Sequence, residues 1–102
     1  MRGLSLVLML MAGPALAWEP MDPADLAGKT LRYQNGLQSF EADGATVYTT
    51  DKDSHGNWRA EGGQYCSAWP PSARWDCYAL EQEGAKVRFI ARDRSITEGV
   101  LE

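Results

Sequence analysis

The chain has few of the residues that build common catalytic and metal sites. It contains one histidine, His55, and two cysteines among 102 residues. A structural zinc site takes four Cys or His ligands, and a nucleophilic enzyme needs a base held against its serine or cysteine. We therefore expect no metal, no cofactor and no enzymatic activity. Paired carboxylates for glycosidic chemistry stay open, because acidic residues are numerous.

Positive charge is also in short supply. Ten Lys and Arg residues stand against fourteen Asp and Glu residues, which gives a net charge of −4. Proteins that bind nucleic acid carry basic stripes that displace counterions from phosphate, and anionic membrane surfaces attract the same charges. The sequence therefore predicts neither a nucleic-acid partner nor electrostatic adhesion to a membrane.

One acidic stretch resembles the start of a calcium-binding loop. Asp51 and Asp53 are followed by Gly56 at the sixth position of such a loop. The fifth position is His55, however, and the twelfth is Gly62, where a bidentate glutamate is required. We predict a polar hairpin turn at His55-Gly56 instead of a calcium site.

Long apolar runs are missing except at the front of the chain. A positive start at Arg2 precedes a nearly unbroken apolar run at 4–11, and Ala15–Ala17 forms a small-x-small cleavage site. The run is too short to cross a bilayer, and this order is typical of a secretory signal peptide. The alternative, a buried N-terminal helix, is disfavoured because Pro14 would break it. We predict a signal peptide at 1–17, a periplasmic or secreted location, and no membrane insertion after cleavage.

Cleavage after Ala17 leaves 85 residues, which suffice for one domain. So short a chain gains little stability from its core and often needs a covalent cross-link. In an oxidising compartment Cys66 and Cys77 can pair in only one way. We expect one disulfide in a monomer.

Both cysteines lie in a stretch whose two halves mirror each other, YCSAWPPSARWDCY, beginning at Tyr65. With Cys66 opposite Cys77, Tyr65 faces Tyr78 and residues 70–73 form a four-residue connection of ordinary hairpin length. Proline cannot donate a ladder hydrogen bond and belongs in that connection. The stretch predicts a disulfide-stapled β-hairpin.

Strand alternation divides this hairpin into two faces. We predict that the face with Ala68, Trp75 and the disulfide packs on the core. The other face is predicted to be an exposed recognition patch, with a cation–π pair of Trp69 and Arg74 at the tip. The alternative is that the inward and outward sets are exchanged. The predicted binding residues are Tyr65, Trp69, Pro70, Pro71, Arg74 and Tyr78.

Turn dipeptides such as Asn35-Gly36, Asp43-Gly44 and Glu83-Gly84 recur along the chain. They separate short segments rich in β-branched and aromatic residues, and no stretch after residue 26 keeps a helical period. The sequence therefore predicts an all-β fold, a small antiparallel meander of about eight strands forming a barrel or two packed sheets. The predicted strands are 29–34, 37–41, 46–50, 57–60, 64–69, 75–80, 86–92 and 96–101.

An N-terminal lead at 18–28 precedes the single β domain at 29–102. Asp22 as cap and Pro23 at the first position predict one helical turn ending at Leu26. We expect 18–21 to be mobile. The predicted core consists of Leu31, Tyr33, Phe40, Val47, Trp58, Val87, Phe89 and Ala91.

The residues around the disulfide form a longer pattern. Gly56-x-Trp58 is followed by Tyr-Cys-Ser-x-Trp-Pro from Tyr65, by Trp-x-Cys-Tyr from Trp75, and by a glycine and a strand ending in Phe89. This pattern resembles a group of small exported proteins of Gram-negative bacteria whose function is uncharacterised. The resemblance covers roughly residues 26–90 and implies a secreted β domain with one disulfide.

A looser similarity is to small bacterial inhibitors built on eight-stranded barrels, which block metalloproteases or lysozyme. The residues Leu26-Ala27-Gly28 after a short lead resemble the protease-inhibitor type, in which an N-terminal trunk enters the enzyme's cleft. The disulfide position of that type is not matched here, nor is the loop motif of the lysozyme inhibitors.

Together these patterns favour an exported, non-enzymatic β domain. We expect it to bind a protein or a small ligand through the aromatic tip of its stapled hairpin. The alternative is an inhibitor of a secreted or periplasmic hydrolase, in which the tip or residues 18–23 plug an active site.

Overall fold

The computed structural model describes residues 17–102, so the predicted signal peptide lies outside the described residues except for Ala17. The all-β prediction is confirmed. The strands are β1 Glu19–Pro20, β2 Thr30–Tyr33, β3 Gly36–Phe40, β4 Ala45–Thr49, β5 Asp53–Glu61, β6 Gln64–Ala68, β7 Trp75–Glu83, β8 Lys86–Ile90 and β9 Ile96–Leu101. Within this range, no helix has the length and apolar character that a membrane crossing requires.

Strands β2 to β9 close into an eight-stranded antiparallel barrel. Each strand pairs with the next one along the chain, and β9 returns to β2, where Val100 lies opposite Arg32. The choice between a barrel and two sheets, which the sequence left open, is thereby settled as a closed barrel. Strand β1 is a ninth strand outside the closure, and its Glu19 and Pro20 lie opposite Gln82 and Glu81 of β7.

Large side chains at the inward positions fill the barrel. Leu31 and Val87 are fully buried and Phe40 is 1% exposed. The ring of Phe40 meets Trp58 and Tyr65 edge-on, with centroids 5.7 and 5.8 Å away. An eight-stranded barrel is just wide enough for side chains to fill it, so these rings form one continuous core.

Two residues of the predicted core lie elsewhere. Val47 is half-buried because its neighbour Thr46 takes the inward position, which turns Val47 to the outer face opposite Ser39 and His55. Ala91 lies beyond the end of β8 and is also half-buried.

The N-terminal lead plugs one end of the barrel. The predicted helical turn is a 3-10 turn, Pro23–Leu26, and its cap Asp22 accepts a hydrogen bond from the Ala24 backbone N–H at 3.0 Å. Leu26 is fully buried, and Pro23 and Met21 are nearly so. The turn packs on β5 and β6. We expected residues 18–21 to be mobile. That expectation was wrong for Glu19 and Pro20, because both pair with β7.

The stapled hairpin has the predicted register. Cys66 lies opposite Cys77 and Tyr65 opposite Tyr78, and the cysteines form a disulfide with Cα atoms 4.0 Å apart. The prediction for its faces was wrong, and the exchanged arrangement is the observed one. Tyr65 is 3% exposed within the core, so the disulfide lies on the outer face.

Volume explains this exchange, because a barrel interior needs large side chains and the cysteines and Ala68 are small. On the outer face, an arginine and a tryptophan lie beside the disulfide. The guanidinium of Arg59, the residue opposite Cys66, lies 4.0 Å from the centroid of the Trp75 ring. Cys66 itself is only 1% exposed.

The predicted turn at His55-Gly56 was also wrong. Both residues lie within β5, and the chain reverses earlier, where the Thr50 N–H donates to the Lys52 carbonyl oxygen at 3.0 Å. Strands β5 and β7 are each nine residues long and exceed the predicted 57–60 and 75–80.

Candidate functional site

The end of the barrel opposite the plug is open and contains a cavity of about 470 Å³. We call it the mouth cavity, and this volume is within the range of small-molecule sites. All four tyrosines of the chain line it. The aromatic side chains that define it are Tyr33, Tyr48, Tyr65, Trp69, Tyr78 and Phe89.

The strands bring these tyrosines together from distant parts of the chain. Tyr33 and Tyr48 stand near the ends of β2 and β4, and their ring centroids are 6.0 Å apart. Tyr65 and Tyr78 face each other across the stapled hairpin, also with centroids 6.0 Å apart. Tyr65 touches Phe89 edge-on at 5.1 Å, and both are nearly fully buried. These two rings form the floor of the mouth cavity.

A buried glutamine organises the hydroxyl groups of the floor. Tyr33 Oη donates to Gln38 Oε1 at 2.7 Å, and Gln38 Nε2 donates to Thr46 Oγ1 at 2.9 Å and to Tyr65 Oη at 3.2 Å. Both amide hydrogens and the amide oxygen of Gln38 are thus engaged. Tyr65 Oη accepts in this network and also shares a hydrogen bond with Ser67.

The hydroxyls of Tyr33 and Tyr65 remain protonated. Burial, with Tyr65 and Tyr48 nearby, raises the pKa of Tyr33 well above its ordinary value. Burial also raises the pKa of Tyr65, although hydrogen bonds with Ser67 and Gln38 oppose the change. Both phenols are therefore neutral hydrogen-bonding groups at physiological pH.

Charge is confined to the rim of the mouth cavity. Of the described residues that line it, Glu98 alone carries a charged side chain, and Glu98 is exposed to solvent. The remaining polar groups are hydroxyls and amides. A bound molecule would thus meet neutral donors, neutral acceptors and aromatic faces.

Trp69 forms one wall of the mouth cavity and rests on a glycine. A Cβ atom at Gly56 would lie 2.6 Å from Trp69 Cε3 and 2.8 Å from the Ala68 carbonyl oxygen. The indole Nε1 donates to Ser67 Oγ at 3.3 Å. The hairpin tip and the barrel end therefore meet at Trp69 to form one surface.

Replacing Gly56 with alanine should displace the indole of Trp69 from its position against residue 56. We expect the free energy of unfolding to fall by about 1–3 kcal/mol, because the new methyl group overpacks the site. Urea titration and near-ultraviolet circular dichroism measure the two effects.

Asn57→Ala is the matched control, since Asn57 is the exposed neighbour of Gly56 on β5. It should change stability by less than about 0.5 kcal/mol. A Gly56→Ala protein with the wild-type spectrum and stability would show that the indole does not depend on this contact.

The structure brings together only part of the predicted binding set. Tyr65, Trp69 and Tyr78 share the mouth cavity. Pro70 lines an adjoining depression that also contains His55. Arg74 pairs with Asp76, its Nε 3.2 Å from Oδ1, and lines a third depression, which adjoins the mouth cavity at Tyr78 and Thr97.

The predicted cation–π pair of Trp69 and Arg74 is not formed. In the described part of the chain, such contacts join Arg59 to Trp75 and Arg88 to Trp18. Pro71 is exposed at the tip. Whether the six residues bind a partner stays a prediction.

Sequence reasoning missed most of the lining residues, among them Tyr33, Gln38, Tyr48 and Phe89. A usable signal existed for the tyrosines. Tyr33 and Tyr48 occupy inward positions at strand ends that reach the same end of the barrel, which a closed meander would bring together. Gln38 carried no such signal, because a polar residue in a strand is usually assigned to the outer face.

Among residues 17–102, no three His, Cys, Asp or Glu side chains are grouped in a way that would hold a metal ion. His55 is exposed and lies beside the mouth cavity, not in it. Ser67 is in the cavity and forms hydrogen bonds with Trp69 and Tyr65. The arrangement is therefore suited to holding a molecule by stacking and hydrogen bonds.

Comparison with known proteins gave no match among protein-family models, curated proteins or solved structures.

Proposed function

We propose that the protein is an exported β-barrel that binds a small polar ligand in the mouth cavity without transforming it. The observation that carries this proposal is the gathering of all four tyrosines and Trp69 at one open barrel end. Tyrosine and tryptophan combine a large apolar face with a polar group, a combination common at binding surfaces.

The contrast between the two barrel ends supports a role in binding. The closed end is filled by Met21 and Leu26, side chains that stabilise a core and offer no hydrogen bond. At the open end a buried Gln38 orients Tyr33 and Tyr65 instead. Burying polar groups costs free energy unless each is paired, so stability alone would favour apolar residues there as well.

Export is part of the same proposal. The Cys66–Cys77 disulfide supports it, because stable disulfides belong to oxidising compartments and are rare in the cytosol. The pattern at 1–17 supports it independently.

The inhibitor alternative finds less support in its trunk form. Trp18 stacks with the Arg88 guanidinium 3.7 Å from its ring centroid, Glu19 and Pro20 pair with β7, and Met21 is buried. A trunk would have to leave these contacts before it entered an enzyme's cleft. Inhibition through the exposed Pro70 and Pro71 would not require that change.

Trp69→Ala should reduce ligand retention by about tenfold or more, which corresponds to roughly 1.4 kcal/mol. The measurement is equilibrium dialysis of the oxidised protein against the low-molecular-mass fraction of a periplasmic extract, with mass spectrometry of the retained compounds. Circular dichroism verifies that the variant folds.

Trp75→Ala is the matched control, because it removes the same side chain from the outer face of the same hairpin. It should retain the compounds that the wild type retains. Equal retention by the Trp69→Ala protein would locate binding away from the mouth cavity and contradict the proposal. Failure of the wild type to retain any compound would also count against the proposal, and it would overturn it if no added probe bound at the mouth cavity either.

A further inference from the structure

We propose that the ligand of the mouth cavity is a neutral saccharide. This inference rests on the proposed function and adds the chemical class of the ligand. Three properties of the cavity carry it: the neutrality of its inner wall, the hydroxyl groups with unused hydrogen-bonding capacity, and the aromatic faces beside them.

The inner wall favours an uncharged ligand. No Lys or Arg of the described residues lines the mouth cavity, and the acidic Glu98 is at the exposed rim. A charged group that entered would lose water, and an anion would find no opposite charge in exchange, which is unfavourable. A phosphate or a carboxylate is therefore a poor fit, and an ammonium group would find only Glu98.

Hydroxyl groups with unused capacity point to a ligand rich in donors and acceptors. Tyr65 Oη accepts from Gln38, Ser67 Oγ accepts from the Trp69 indole, and the two hydroxyls hydrogen-bond each other, so one of their two protons stays free for a ligand. Tyr48 and Tyr78 add two further phenols to the same cavity. A sugar presents hydroxyls and a ring oxygen around its edge, which are complementary to such a ring of hydroxyls.

The aromatic rings match the other half of a sugar. A pyranose ring carries C–H groups on its faces, and these pack favourably on the electron-rich face of an aromatic ring. Trp69 supplies an indole at the wall, held against Gly56, while Phe89 and Tyr65 form the floor. A flat aromatic ligand would use these faces and leave the hydroxyls unpaired.

Size agrees with a short oligosaccharide. The cavity holds about 470 Å³ and opens to solvent at the rim formed by residues such as Asn35 and Thr97. A sugar ring can therefore enter the cavity while a second ring projects through the opening.

The test is titration of the oxidised protein, with nitrogen-15 NMR spectra recorded at each step. The neutral probes are maltose, cellobiose and N,N′-diacetylchitobiose, glucuronate is the charged probe, and indole is the aromatic probe. We expect at least one neutral saccharide to shift the signals of Tyr65, Ser67 and Trp69. Glucuronate should bind at least about tenfold more weakly than that neutral saccharide, because its carboxylate loses water without gaining a partner.

Two variants separate hydroxyl recognition from packing. Tyr65→Phe keeps the ring and removes the hydroxyl, and we expect it to weaken saccharide binding about tenfold. Ser67→Ala should act in the same direction and leaves the hydrogen bonds of Gln38 intact, so it serves if Tyr65→Phe fails to fold. Trp75→Phe on the outer face should bind as the wild type does.

The outcomes distinguish the ligand class from the site. Indole shifts at the mouth without any saccharide shift would overturn the saccharide assignment and leave the proposed function standing. Equal affinity for glucuronate would overturn the neutral character. Compounds retained from extract that are not saccharides would also overturn it, whereas an empty dialysis result together with no shift from any probe would remove both proposals.

Discussion

Phe40→Ala should lower the free energy of unfolding by about 3–5 kcal/mol, the usual cost of emptying a buried phenylalanine site. Phe40 is 1% exposed and lies edge-on between Trp58 and Tyr65. The barrel is closed on all sides by hydrogen-bonded strands, so neighbouring side chains can collapse only partly into the space. Small domains have total stabilities of about 5–15 kcal/mol, and a loss of this size would leave a visible unfolded population.

Urea unfolding followed by tryptophan fluorescence measures this change. Leu37→Ala is the matched control, because Leu37 is the 37% exposed residue three positions before Phe40 on β3. It should cost much less than Phe40→Ala. Equal losses for the two variants would show that the interior is not packed around Phe40.

The Cys66→Ala, Cys77→Ala double variant should lose about 3 kcal/mol of stability, since a cross-link that closes a loop of this length restricts the unfolded chain by that amount. Alanine is chosen because Cys66 is 1% exposed and a serine hydroxyl would be buried there. Thermal unfolding without reductant measures the loss.

The same double variant should also hold the side chains that line the mouth cavity less firmly in place. Tyr65 and Tyr78 stand next to the two cysteines and reach the cavity from opposite strands of the hairpin. Wild-type protein unfolded in the presence of dithiothreitol is the control and should show a similar loss of stability. A double variant as stable as the oxidised wild type would mean that the strand pairing and the core alone hold the hairpin together.

The register of the hairpin could be predicted because several local signals agree. The prolines mark the turn, the cysteines mark one opposed pair, and the remaining residues follow by counting. Part of the strand meander was predictable for the same reason, since three of its turns carry glycine, at Gly44, at Gly62-Gly63 and at Gly84. The last strand was predicted with its observed bounds, Ile96–Leu101.

The inward and outward faces of the hairpin were harder to predict than its register. Both faces carry aromatic residues, and alternation alone does not say which face is inside. The interior of a closed barrel selects by volume, and Tyr65 fills it better than Cys66 does. Gly56 misled in a related way. A glycine after His55 predicts a turn, yet Gly56 lies within a strand and leaves room for the indole of Trp69.

The candidate site was only partly predictable because it is assembled from strands far apart in the sequence. Trp69 and Tyr78 belong to the conspicuous hairpin, whereas Tyr33 and Tyr48 are single residues in unremarkable segments. Their proximity depends on barrel closure, which the sequence did not decide. Strand β1 was missed for a similar reason, since two residues without alternation pair with residues 81–82.

Both described ends of the chain lie at the plugged pole. β1 pairs beside the β7–β8 turn, and the Leu101 N–H donates to the Ala85 carbonyl oxygen at 2.7 Å in that same turn. A dye, a fusion partner or a surface linkage attached before Trp18 or after Glu102 would consequently sit at the far pole. The barrel can be tethered to a sensor chip by either end with its tyrosine-lined opening turned towards the bulk solution.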